Sequence, residues 1–347
     1  MTKIKKNLIY VVIITLLVVI GVFVIRHFVN RNPLDVDVSD IDIEVRVERF
    51  DKELDAVLDG DPYKKINKLS EKYTDFFEIY NYDIISIGGT ENQSYLTYLQ
   101  TFLSDYSVTE ATKEVNRVFT DMSSIDDELT EGFKHLVYYY PKLKVPRIVS
   151  FIAGFNHSVI VTENFIGIGL DKYLGSDCEL YNLLDIPDFA RTEMVKEQIP
   201  IDVMSAYYEA QYPFMPKSEN LLEYIIYNGR KLYFLDAMYP DFDEARKNKY
   251  TEKQLGFCKQ YEREMWTNII EEKLLFVTDY LTIRKFVENA PFTYQFGPDS
   301  PPRAANWLGL QIVKSYMKNN NVSVPELMEE TDYQKILNLS GYDPKYK

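Results

Sequence analysis

The sequence predicts an α+β fold in which a small mixed sheet is outweighed by helices, preceded by one N-terminal transmembrane helix. Three observations carry this. Residues 8–25 form an uncharged apolar run of the length that crosses the hydrocarbon core of a bilayer. Strand-like text is confined to residues 35–51 and 147–171. Almost everywhere else apolar residues recur at spacings of three and four, the period of an amphipathic helix.

The apolar run comes first. Lys3, Lys5 and Lys6 precede it and Arg26 and Arg31 follow it, a slight bias that leaves the N-terminus cytoplasmic, since a long acidic remainder translocates largely regardless of flanking charge. A secretory signal peptide also begins with a basic stretch and an apolar core, but here no small-residue cleavage site follows, the first alanine being Ala56, and no lipobox cysteine follows either. The reading is an uncleaved single-pass anchor in the cell membrane, residues 1–31 forming the cytoplasmic tip and span and residues 32–347 an extracytoplasmic domain in the periplasm.

Within DVDVSDIDIEVRVERFD (35–51), Ile41, Ile43, Val45 and Val47 alternate with charged residues, which predicts a strand with one buried face. A helical part follows over residues 62–145. Its stripes are Ile66, Leu69, Tyr73, Phe76, Phe77 and Tyr80; Leu96, Leu99 and Leu103; Val108, Ala111, Val115 and Val118; and Leu129, Phe133, Leu136, Val137 and Tyr140. RIVSFIAGF, SVIVTE and FIGIGLD then read as three short strands separated by turn residues such as Asn156 and Asn164. The remainder predicts helices opening at Pro200, over residues 219–240, at the capping box Thr251-x-x-Gln254, after Pro302 and at Ser323-x-x-Glu326.

Composition narrows the function. With 46% hydrophobic and 14% aromatic residues the chain behind the anchor is a folded domain, and a net charge of −14 argues against nucleic acid and anionic lipid as partners. Cys178 and Cys258 are too few for a disulfide framework and lack metal-site spacing; Cys258 reads as a small hydrophobe on one helical stripe with Leu255, Trp266 and Ile269.

Of the three histidines, His27 flanks the apolar run, His135 lies off the apolar stripe of its helix and His157 sits in a turn between strands. A hydrolytic zinc site commonly takes two histidines at i and i+4 on one helix with a glutamate beside them, and no such spacing occurs. Because His135, His157, Cys178 and Cys258 come from four separate segments, no metal and no cofactor is expected. There is no G-x-S-x-G elbow for a serine nucleophile, and adjacent His157 and Ser158 would point apart in an extended segment. The Gly167-Ile168-Gly169 run falls inside a strand, and Gly88-Gly89 reads as a loop. Carboxylate groups such as Glu262, Glu264, Glu271 and Glu272, or Asp236 and Asp241, read as solvated helix faces in a chain with 53 acidic residues.

Several blocks carry a resemblance. ERFDKEL (48–54), VPRIVSFIAGFNHS (145–158), FIGIGLDKYLG (165–175) and EMVKEQIPIDVMSAYYEAQY (193–212) come in order. They are followed by LLEYIIYNGRKLYFLDAMYPD (221–241), LGFCKQYEREMWTNIIEEKLLF (255–276), NAPFTYQFGPDSPPRAANWLGLQIVKSYMKNN (289–320) and ILNLSGYDP (336–344). Together they resemble the gliding-motility lipoprotein B (GldB) family of Bacteroidetes, most weakly over residues 82–138. Typical members are lipoproteins, and this chain lacks the lipobox cysteine. The family is similar in layout to zincin-type metallopeptidases, which implies a zincin-like core over residues 146–347. The slot of the active-site helix holds PIDVMSAYYEAQY (200–212) without a histidine, and the next slot, Tyr227-Asn228-Gly229-Arg230, has no acidic residue at Asn228.

The resemblance thus implies a zincin-like scaffold without zinc or peptidase mechanism: a non-catalytic, membrane-anchored component of gliding or the associated secretion machinery that binds an envelope protein or peptide. The rival expectation is a hydrolase of peptide or glycan working through carboxylates of the cleft, with Asp202, Glu209 and Glu223 as its candidate residues. Two carboxylates facing each other in an apolar pocket would favour the enzyme. A cleft filled by Tyr207, Tyr208 or Tyr233 would favour binding.

Overall fold

The computed structural model describes residues 32–345, and from Val38 onward these form one compact unit. The apolar run at residues 8–25 and His27 lie outside the described residues, among which no helix is long and apolar enough to cross a membrane.

Four strands make the sheet: β1 (Val47–Glu48), β2 (Arg147–Phe151), β3 (Val159–Val161) and β4 (Phe165–Gly169), in the order β1-β2-β4-β3. The β1–β2 and β2–β4 pairs are parallel and β3–β4 is antiparallel, so the sheet is mixed. All five residues of β4 are buried, which accounts for an apolar run without alternation. Its glycines are steric necessities. A Cβ at Gly167 would lie 2.9 Å from both Phe151 and Phe76, and one at Gly169 would lie 2.1 Å from the His157 carbonyl oxygen.

The strand expected over residues 41–47 is corrected: only Val47 and Glu48 pair with the sheet. The alternation is real, since Val45 and Val47 are buried and Glu44 and Arg46 exposed. The partner, however, is a helix. The Val45 amide donates to Thr130 Oγ1 at 2.9 Å and the Val47 amide to Asp126 Oδ1 at 2.9 Å, so side chains of the Ser123–Tyr139 helix replace a strand ladder.

Helices Pro62–Ile79, Tyr95–Leu103, Tyr106–Val118 and Ser123–Tyr139 fall on the predicted stripes. The first packs on the sheet through an aromatic cluster in which the Phe50 ring meets Tyr73, Phe76 and Tyr80 edge-on at 5.0, 5.3 and 4.9 Å. His135 is buried, contrary to the stripe that excluded it. The Ser123–Tyr139 helix buries a second face, Gly132 sitting so close to Tyr239 that a Cβ there would approach its hydroxyl to 2.4 Å, and His135 Nδ1 lies 3.1 Å from the Glu131 carbonyl oxygen.

The helix Leu221–Met238 is buried nearly all round, the mark of a central core helix. It crosses Ala304–Asn319 at two glycines: a Cβ on Gly229 would stand 2.3 Å from the Gly309 carbonyl carbon, and one on Gly309 2.0 Å from the Ile225 oxygen. The capping boxes Thr251/Gln254 and Ser323/Glu326 form as predicted. The stripe through Cys258 and Trp266 runs over two helices, Glu252–Gln260 and Glu262–Glu271, because Tyr261 leaves helical dihedrals (φ −107°, ψ 22°); Cys258 itself is buried.

Candidate functional site

A cavity of about 310 Å³ opens between the Ile199–Gln211 helix, the Leu221–Met238 helix, the turn at residues 247–250 and Arg303. Each wall has a local cause. Pro200 starts the first helix, and Asp202 sits in its first turn, where the helix dipole favours a carboxylate. Asn220 and Glu223 cap the second helix reciprocally. The short helix Glu244–Asn248 ends on Lys249 in the left-handed region (φ 55°, ψ 45°), where the Lys249 amide donates to Arg246 O and the Tyr250 amide to Ala245 O. Arg303, also left-handed (φ 54°, ψ 28°), precedes the Ala304–Asn319 helix.

These turns aim cations at carboxylates. Lys249 Nζ lies 2.5 Å from Asp202 Oδ1 and 3.6 Å from Glu193 Oε2, while Arg303 grips Glu193 with both terminal nitrogens, at 2.6 and 3.2 Å. The other oxygen of Asp202 accepts from the Tyr173 hydroxyl at 2.9 Å. Burial first, and then the Asp202 charge, push the Tyr173 phenol well above its ordinary value, so it stays a donor. Two helical turns along, Lys231 Nζ donates to Glu209 at 2.7 Å. Behind the cavity, buried Asp236 is held between Lys247 at 2.7 Å and Lys314 at 2.9 Å.

The structure thus brings Asp202 and Glu209 to one cavity and leaves Glu223 out of it. Glu223 is buried in its cap, accepting from the backbone amides of Lys217, Ser218 and Asn220 at 2.9, 3.0 and 3.3 Å. The tyrosines whose presence in the cleft would have favoured binding do not fill it. Tyr207 stacks on Phe234 at 6.4 Å, Tyr208 packs against Tyr212, Tyr227 and Phe234 at 5.5 Å, and Tyr233 is buried; none of the three lines the cavity. Asn228 does line it, its Nδ2 donating to the Tyr224 carbonyl. Tyr208 serves another purpose: its hydroxyl accepts from Arg230 Nε and Nη2 at 3.2 and 3.1 Å, and the buried guanidinium completes its bonding on the Glu330 carbonyl oxygen and over the Tyr333 ring.

Among the described residues no group of three or more His, Cys, Asp or Glu side chains could hold a metal ion. Sequence reasoning missed Glu193, Lys231, Lys247, Lys249 and Arg303. They come from four parts of the sequence, and the only local signal, a long cationic side chain at a helix end, applies to Lys247, Lys249 and Arg303.

The sequence pattern of the gliding motility protein GldB family matches residues 31–344. The chain belongs to this family. The GldB match takes in every residue of the cavity and begins after the apolar run at residues 8–25. No curated protein and no solved structure matches the chain.

Proposed function

We propose that the protein is a membrane-anchored, non-catalytic envelope component of gliding or its associated secretion machinery, and that its acidic domain holds an envelope protein or peptide in the cavity between Asp202 and Arg303. The family membership supports the link to gliding, and the apolar run at residues 8–25 supports the anchor. The zincin-like layout belongs to the same proposal, with the Ile199–Gln211 helix in the slot of a lost active-site helix.

The observation that carries the non-catalytic reading is that each cleft carboxylate is paired with a lysine. Asp202 is engaged by Lys249 and Tyr173, and Glu209 by Lys231. Each is thus paired with a cation and not with the other carboxylate, whereas an acid/base enzyme would set two carboxylates to face each other.

The test is complementation of a gliding host from which this chain has been deleted. Asp202→Asn combined with Glu209→Gln is expected to restore spreading to at least half the level of the unmodified chain, because both amides can still accept from Lys249 and Lys231. Loss of spreading by a variant that is folded, present at normal level and in the membrane fraction would transfer the cleft to the enzyme reading. Deleting residues 1–31 is expected to release the protein from membranes.

A further inference from the structure

We infer that a second groove, separate from the cavity between Asp202 and Arg303, docks a basic segment of a partner protein in which lysine or arginine flanks an apolar side chain.

The groove has a built frame. Residues 176–193 form an excursion with a closed base, where Leu174 and Val195 make an antiparallel bridge and the Gly175 amide donates to the Met194 carbonyl at 3.0 Å. The excursion carries the short helix Glu179–Leu183, which packs beside the Tyr106–Val118 helix. Between them opens a groove of about 610 Å³, within the roughly 300–1,000 Å³ of ligand clefts. It shares no lining residue with the cavity.

The walls are apolar where water reaches them. Tyr106 and Leu183 line the groove and are 70% and 64% exposed, and Val118, Leu180 and Val195 line it half-buried. The Glu179–Leu183 helix is anchored by Tyr181, which is fully buried; its hydroxyl accepts from the Leu174 amide and donates to the Asp171 carbonyl, both at 2.9 Å. Two residues on, Leu183 falls on the other side of the helix, away from that anchor.

Charge selects the occupant. Among the lining carboxylates, Glu110 pairs with Lys113 and Glu114 with Arg117, both at 2.6 Å. Asp177, Glu179 and Glu197 are exposed and have no ion pair among the described residues; Asp177 accepts from the Ser176 hydroxyl at 3.2 Å and Glu179 from Asn182 Nδ2 at 3.0 Å. Lys196 is the one lining cation outside an ion pair among the described residues, so three free carboxylates face one free ammonium and two negative charges are left over. The cavity has no such surplus, because each cation that lines it is matched by a carboxylate.

Other occupants fail on one demand or the other. No group of three or more His, Cys, Asp or Glu side chains among the described residues could hold a metal ion, and an ion would leave Tyr106 and Leu183 wet. A second copy of this chain, with its net charge of −14, or an anionic lipid surface would bring negative charge to negative charge. A basic segment meets both demands: its charged heads reach the free carboxylates, while its aliphatic stems and an apolar neighbour cover Tyr106 and Leu183.

The test titrates the full chain in a zwitterionic detergent, with detergent alone as the blank, using three labelled and C-terminally amidated tripeptide libraries. One carries two lysines with a leucine or phenylalanine, one two lysines with a serine, and one two glutamates with a leucine or phenylalanine. The first is expected to bind about tenfold or more tighter than either of the others. Neutralising the groove by Asp177→Asn, Glu179→Gln and Glu197→Gln together should weaken it about fivefold, and so should Tyr106→Ser combined with Leu183→Ser. Removing as many charges at Glu252, Glu271 and Glu272, exposed carboxylates outside the groove, should change it less than about twofold. All these substitutions are at exposed positions, so each variant should melt within a few degrees of the parent. Binding of none of the libraries, equal binding of all three, equal losses from the two sets of charge changes, or unchanged binding by both groove variants would each overturn the inference.

Discussion

Asp171 is fully buried beside the sheet, its Oδ2 accepting from the amides of Ala153 at 3.1 Å and Phe155 at 2.6 Å while Oδ1 has no partner. Burial pushes its carboxyl up to about 6, against the pull of those two amides. A folded-state value above the unfolded one means that the folded protein prefers the protonated form. The group therefore stabilises most below about pH 4, and that contribution is lost as pH rises through about 6. Asp171→Asn keeps an acceptor for the two amides and removes the charge. Urea unfolding should show its stability relative to the parent increasing between pH 4 and 7, by at most on the order of 3 kcal/mol. A difference that is flat with pH would refute the assignment. Lys249 and Arg303 carry the same lesson in another form, since each accepts a left-handed backbone, a cost of roughly 1–2 kcal/mol, at the edge of one cavity.

At the scale of elements, the sequence was readable wherever one residue decides a local geometry. The capping boxes at Thr251 and Ser323 set helix starts, and Asn156 and Asn164 set off the strands over residues 147–169. What it hid depends on partners distant in the chain. Residues 41–47 alternate like a strand, yet the amides of Val45 and Val47 go to Thr130 and Asp126. His135 looked displaced from its stripe because the helix has a second buried face. Of the candidate site, Asp202 and Glu209 were legible as acids on one helix, but the cations that neutralise them were not. Gly229 and Gly309 show the same dependence. Gly229→Ala would push the crossing of the Leu221–Met238 and Ala304–Asn319 helices apart, and is expected to cost about 3 kcal/mol or more. Gly256, exposed in the Glu252–Gln260 helix with nothing within 4 Å of its would-be Cβ, gives the control: Gly256→Ala should gain about 0.5–1 kcal/mol. Equal effects of the two changes in chemical denaturation would contradict the close crossing.

At the scale of the whole molecule, a cavity whose cations are matched by carboxylates sits in a strongly acidic chain. Residues 1–31 hold five basic and no acidic residues, so the −14 of the whole chain is −19 over residues 32–347. The long-range field thus opposes an arriving acidic peptide and draws a basic one, while the paired charges of the cavity act only at short range. These ranges separate by screening, because the Debye length shrinks from about 30 Å at 0.01 M salt to about 8 Å at 0.15 M. Added salt should therefore weaken the domain-wide field first. For tripeptides with acidic side chains and a free carboxyl end, the association rate measured by stopped flow is expected to rise several-fold between about 0.01 and 0.15 M salt. For tripeptides with two lysines, attraction to the same field should make the rate fall over that range. Rates that respond alike for the two classes would mean that the acidity does not steer ligands. Opposite slopes would give that acidity a use, in favouring partners whose body is basic.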